Sequence, residues 1–172
     1  MAFRVAHIVS SACTEPGSVA ICLPGLVEQL RDRGIVCTIT DPTTIPDADV
    51  THVHGWNDDS MRSVVTALSR KGCRFVLSPI GGLSTGTYNA WTFGDKLRFL
   101  LQHRGGIRSA RALVAVNQLE ADRLGRESRH PRVVVLPYGT VVAPSEPIPQ
   151  VVAGSKRLLY LGSLHPRFGC VA

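Results

Sequence analysis

The sequence predicts an α/β fold, a doubly wound parallel sheet of Rossmann-like type, and three observations lead there. Short apolar runs rich in valine and isoleucine recur between residues 3 and 136. Segments with apolar residues at helical spacing separate them, and this alternation is the signature of parallel strands joined by crossover helices. Glycine, proline and serine cluster after several of the runs, at the carboxyl ends of strands, where such sheets gather their ligand loops.

Residues 3–9 form the first apolar run, bounded by Ser10 and Ser11. Apolar residues at helical spacing over 19–30 lead to Arg31, Asp32, Arg33 and Gly34, a basic end with a glycine stop. Pro24 is the misfit in this helix; it is expected to kink it or to push its start to Pro24 and Gly25. A second strand over 35–40 closes at Asp41 and Pro42, completing a right-handed parallel unit. A strand over 49–54, a helix over 58–69 and a strand over 73–78 ending at Pro79 follow. Residues 87–101 and 109–111 read as helical, with Gly105 and Gly106 breaking the helix between them. A strand over 112–116, a helix over 119–126 and a strand over 132–136 complete the alternation. Residues 1–142 thus make one domain. Residues 143–156, with Pro144, Pro147, Pro149 and Gly154, have linker composition, and 157–172 read as the first strand and loop of a second domain that is cut short.

At 172 residues, 44% hydrophobic and 19% charged, the chain has room for one domain with a core and not for two. The excess of 19 Lys and Arg over 13 Asp and Glu favours an anionic partner. Nucleic acid is not expected, because no recognised binding motif is present and aromatic residues make up only 6%. No apolar run approaches the roughly 18 residues that span a bilayer, and the amino terminus lacks the ordered regions of a signal peptide, so a cytoplasmic location is expected. Cys13, Cys22, Cys37, Cys73 and Cys170 are odd in number and lack CxxC spacing, which reads as reduced thiols.

Candidate functional residues fall in four loops: Gly17 and Ser18, His54 and Gly55, Ser78 through Gly81 and Gly82, and Pro137 through Gly139. Gly17 and Ser18 precede a helix amino terminus, which favours an anion, although Gly-Ser is equally an ordinary cap. His52 and His54 share a strand face. No Cys, Asp or Glu at ligand spacing completes three or four ligands, so no metal is expected; His54 reads as a site residue and His52 as a core residue bonded to backbone. Asp58 and Asp59 read as a helix-capping pair rather than an acid and base. Lys96, Arg98, Arg104, Arg108 and Arg111 alternate with apolar residues, a surface suited either to anionic lipid or, the preferred reading, to solvent on a core helix.

Taken in series, these loops resemble the family-four retaining glycosyltransferases of GT-B architecture. The likeness rests on the first strand and its Gly17-Ser18 loop, the helix to Arg33-Gly34, Asp49 through His54-Gly55, and Ser78 through Leu83. Ala112 through Asn117 with Glu120, Val134 through Tyr138-Gly139, and Leu159 through Gly169 continue it. The resemblance covers the acceptor-side domain and the opening of the donor-side one. It implies transfer of a sugar from a nucleotide diphosphate sugar to a hydroxyl of a glycan or lipid-linked acceptor, with retention and without an obligatory metal or cofactor. It places Gly17, Ser18, His54, Gly55, Gly81, Gly82 and Gly139 at the acceptor cleft, and Gly162, Arg167 and Gly169 at the donor phosphates.

The sequence also departs from the family pattern. Where the family carries cations for the leaving diphosphate, this chain has Ser163 and Phe168, and the polar residue of the Ser-Pro-x-Gly loop is Ile80. The resemblance also places the donor pocket and a pair of acidic residues beyond Ala172, so turnover by this chain alone is not expected. A free-standing Rossmann-like nucleotide module and an inactive fragment are the alternatives; a G-x-G-x-x-G fingerprint after the first strand, which would favour the former, is missing.

Overall fold

A computed structural model describes residues 2–10, 18–56, 59–80, 92–94 and 104–139. The expectations for Gly17, Asp58, Gly81, Gly82, residues 87–91 and 95–103, the linker, Gly162, Arg167 and Gly169 lie outside the described residues.

Six strands, β1 (Arg4–Val9), β2 (Val36–Thr40), β3 (Val50–His54), β4 (Phe75–Ser78), β5 (Ala112–Ala115) and β6 (Val133–Val135), form one sheet in the order β2-β1-β3-β4-β5-β6. Every pair is parallel. The helices are α1 (Ser18–Asp32), α2 (Asp59–Arg70), α3 (Arg104–Ser109) and α4 (Gln118–Ser128). The central strands are buried almost throughout and the outer ones, β2 and β6, are largely exposed, as expected of a parallel sheet covered on both faces. This is the doubly wound α/β fold expected from the alternation.

The two faces hold separate cores. Ile8, Val53, Phe75, Leu77 and Leu113 pack with Met61, Val64, Val65 and Leu68 of α2, Ile107 of α3 and Leu124 of α4. On the other face Val9 and Cys37 pack with Val19, Leu23 and Val27 of α1. The chain leaves β1 toward β2 on one side and returns to β3 on the other, so the strand order reverses between β1 and β3. A crevice opens at such a switch point, outside the carboxyl ends of the strands.

Two local expectations are corrected. Pro24 does not move the start of α1, which runs from Ser18. Pro24 is exposed, so its ring displaces no core side chain and the hydrogen bond it forfeits lies on the solvent side. Gly105 and Gly106 do not break a helix but lie inside α3, which ends at Ser109; residues 110 and 111 are not helical. Packing overrides propensity here: a Cβ on Gly106 would sit 3.2 Å from Val65 Cγ1, so the missing side chain lets α3 lie close against α2. Within α3 Ile107 is fully buried, Arg108 is exposed and Arg104 is half-buried, while Lys96 and Arg98 of the expected basic face lie outside the described residues. Cys22, Cys37 and Cys73 are free thiols. Among the described residues no helix is long and apolar enough to cross a membrane.

Helix α4 shows how the sequence sets one boundary. Asn117 is extended and its Oδ1 accepts the Glu120 N–H at 2.8 Å, while Glu120 Oε2 accepts the Val116 N–H at 2.8 Å. The first bond satisfies a donor that the first turn leaves orphaned, and the second ties the residue before the cap to the same glutamate. At the other end Arg129 adopts a left-handed conformation and its N–H reaches Gly125 O at 3.1 Å.

Candidate functional site

The pairing of β1, β3 and β4 decides which side chains meet at the switch point. His7 is in register with His52, Val9 with His54, and His54 with Ser78. Partners in register point to the same face, so three imidazoles and a hydroxyl converge on the α1 side of the sheet. His7 Nδ1 lies 3.0 Å from His54 Nε2, and His52 Nε2 lies 2.8 Å from Ser78 Oγ. The His52 and His54 ring centroids are 3.9 Å apart, and the His7 ring is 5.4 and 5.3 Å from the two.

His7 and His54 are almost completely buried. Burial disfavours the imidazolium, and each ring disfavours charge on its neighbours. Burial pushes His7 down to about 4. Burial, with His7 beside it, pushes His52 to about 3, and burial with both neighbours pushes His54 to about 2. All three rings are therefore neutral at pH 7, each with one donor and one acceptor nitrogen.

A cavity of about 430 Å³ opens beside this cluster. Among the described residues its apolar wall includes Val19, Leu23 and Leu26 of α1, Val114 of β5 and Leu136 after β6, and its polar groups are His52, His54, Ser78, Gln29 and Tyr138. No lysine, arginine, aspartate or glutamate is among these lining residues. The positive net charge of the chain is thus not focused into the cavity among the described residues. Such a surface suits a neutral ligand with both hydroxyl and apolar groups better than it suits a diphosphate.

The structure brings together part of the expected site. His54, Ser78, Pro137 and Gly139 line the cavity. Gly55 follows His54 with φ +102° and donates its N–H to Ser78 O at 2.8 Å, so it shapes the end of β3 without being among the lining residues. Ser18 begins α1, and Asp59 opens α2 with its carboxylate 2.7 Å from Arg62 Nη1. Ile80 has φ +51°, unusual for a β-branched residue, and packs against the α1 core. That packing helps hold the turn after β4 and uses the side chain as an apolar wedge.

His52 is corrected: its ring bonds to the Ser78 hydroxyl, not to backbone, and it lines the cavity. His7 is a member of the cluster that sequence reasoning misses. A signal for it exists: His7 lies two residues before the end of β1 and His52 two before the end of β3, and equal offsets on neighbouring parallel strands bring side chains into register. The α1 wall is missed as well, because helical spacing shows which face is apolar but not that the face is only partly covered.

No curated protein matches the chain. The sequence model of the glycosyl transferase 4-like domain matches residues 43–139, a segment that holds β3, β4, β5, β6 and the loops bearing His54, Ser78 and Gly139. The chain belongs to the glycosyl transferase 4-like domain family.

Proposed function

We propose that this domain is the acceptor-side wall of a retaining sugar transferase, which holds a glycan or lipid-linked acceptor while a donor-side domain presents a nucleotide diphosphate sugar. The observation that carries this reading is the character of the cavity: apolar on the α1 side, edged by neutral imidazoles and the Ser78 hydroxyl, with no cation among the described lining residues. A leaving diphosphate needs positive donors in place as charge develops. A wall without them serves the acceptor instead. The Ser78 hydroxyl offers a polar contact to a sugar hydroxyl beside the His54 ring, whose Nε2 is engaged by His7, and the α1 residues offer area to an apolar aglycone.

In this reading residues 157–172 begin the donor-binding domain, with Gly162, Arg167 and Gly169 near the phosphates, and Ser163 and Phe168 leave the diphosphate poorly held. The domain alone binds acceptor without turning over. It works in the cytoplasm, where the basic residues between 96 and 111 add peripheral attraction to anionic membrane. Calorimetric titration with nucleotide diphosphate sugars and, separately, with glycan and lipid-linked acceptors tests the assignment. Heat with an acceptor and none with the donor supports it. Binding of nucleotide without any acceptor points to the free-standing nucleotide module, and sugar transfer by this chain unaided rejects the proposal.

A further inference from the structure

The histidine cluster has a geometry that neither the fold nor an acceptor wall requires. One ligand nitrogen from each of His7, His52 and His54 can be chosen so that all three lie within 4.8 Å of one another. Two imidazole nitrogens on one tetrahedral Zn2+, each at about 2.05 Å, stand about 3.3 Å apart. His7 Nδ1 and His54 Nε2 already stand 3.0 Å apart. His52, whose ring centroid is 3.9 Å from that of His54 and whose Nε2 faces Ser78 Oγ, completes the set within the same 4.8 Å span. The strands fix the three Cα positions by ladder pairing, so the set is held by the sheet and not by a loop.

His7 is 1% exposed and its Nε2 has no hydrogen-bond partner among the described residues, so no acceptor or donor there dictates the tautomer, and the ring can carry its proton on Nε2 while Nδ1, the nitrogen facing His54, presents a lone pair.

We propose that His7, His52 and His54 form a three-imidazole site for a first-row divalent cation of the Zn2+ class at the switch point between β1 and β3. An all-nitrogen set selects Zn2+, Co2+, Ni2+ or Cu2+ over Mg2+ and Ca2+, which take oxygen ligands. His52 and His54 line the cavity, which supplies an entry path, and the fourth position is left for water or an oxygen ligand entering by that route. The proposal does not depend on sugar transfer. A bound ion places positive charge on a wall that is otherwise neutral, so occupancy changes what the cavity accepts.

The test uses the full chain, stripped by chelator and titrated with Zn2+ while the imidazole resonances of all six histidines are followed by NMR. The site predicts that three rings shift together to a 1:1 end point, while His130, whose nitrogens face the Ala110 and Arg132 carbonyl oxygens at 2.9 and 2.7 Å, stays in place. Co2+ should then give the visible absorption of a four- or five-coordinate ion. His7→Gln and His52→Gln should each weaken Zn2+ binding by more than the roughly 10- to 100-fold that follows loss of an outer-shell partner. Failure of the three rings to shift in the unmodified protein overturns the proposal. So does a Zn2+ affinity unchanged in a folded His52→Gln variant.

Discussion

His7 and His54 are 47 residues apart in sequence, yet their ring nitrogens approach to 3.0 Å in the interior. That contact exists because β1 and β3 are neighbours across the point where the strand order reverses. It joins the core of the sheet to the cavity: His7 is inside, His54 is at the wall, and one hydrogen bond links them.

Stability should fall in mild acid. The folded pKa values of His7, His52 and His54 lie below the unfolded value near 6.5, at about 4, 3 and 2. Below pH 6.5 the unfolded chain takes up protons that the folded one refuses, so their contribution is complete above about 6.5 and is lost as pH falls toward 4 and below. The slope approaches about 1.4 kcal/mol per pH unit for each ring that behaves this way. Urea denaturation between pH 7.5 and 4.5 measures it. A flat profile would mean the rings are solvated and protonate without unfolding.

The two glycines of α3 should respond differently to alanine. At Gly105 an added Cβ would meet nothing within 4 Å, so Gly105→Ala should gain a few tenths to about 1 kcal/mol from the reduced entropy of the unfolded chain. At Gly106 the new methyl meets Val65, which is fully buried and has little room to give. Gly106→Ala should therefore be less stable than Gly105→Ala, by about 1 kcal/mol or more in thermal or urea unfolding.

Removing the Asn117 cap should cost about 1 kcal/mol. Asn117→Ala leaves the Glu120 N–H without its side-chain acceptor, and Asn117→Asp should retain most of the stability. Chemical denaturation of the pair distinguishes loss of the cap from a general effect of substitution.

Gly55 should not tolerate a side chain. At φ +102° an L residue is strained, so Gly55→Ala should lose on the order of 1–2 kcal/mol in urea denaturation. The same change moves the end of β3, which carries His54, and should weaken acceptor binding in a variant that remains folded.

The sheet is legible in the sequence because each strand announces itself locally: apolar runs bounded by proline, glycine or serine mark β1, β3 and β4 to within two residues at either end. Helix α3 is not, because glycine is a breaker by propensity; the approach of Val65 shows why Gly106 belongs in a helix, while no neighbour among the described residues requires a glycine at 105. His54 and Ser78 can be placed by their position at strand ends. His7 is harder to place, because its offset from the strand end becomes informative only once β1 is known to pair with β3 in register, a long-range property that no local window contains. The cavity wall from α1 is hidden for the same reason.

The most direct test of the acceptor-wall account is a two-dimensional NMR titration of the full chain, with backbone and imidazole resonances assigned, against a panel of glycan and lipid-linked acceptors and against nucleotide diphosphate sugars. The account predicts that an acceptor moves the signals of His52, His54, Ser78 and Gly139 as a group while the nucleotide sugar leaves them in place. Shifts of that group with nucleotide sugar, or acceptor-induced shifts confined to residues away from the cavity, would contradict it.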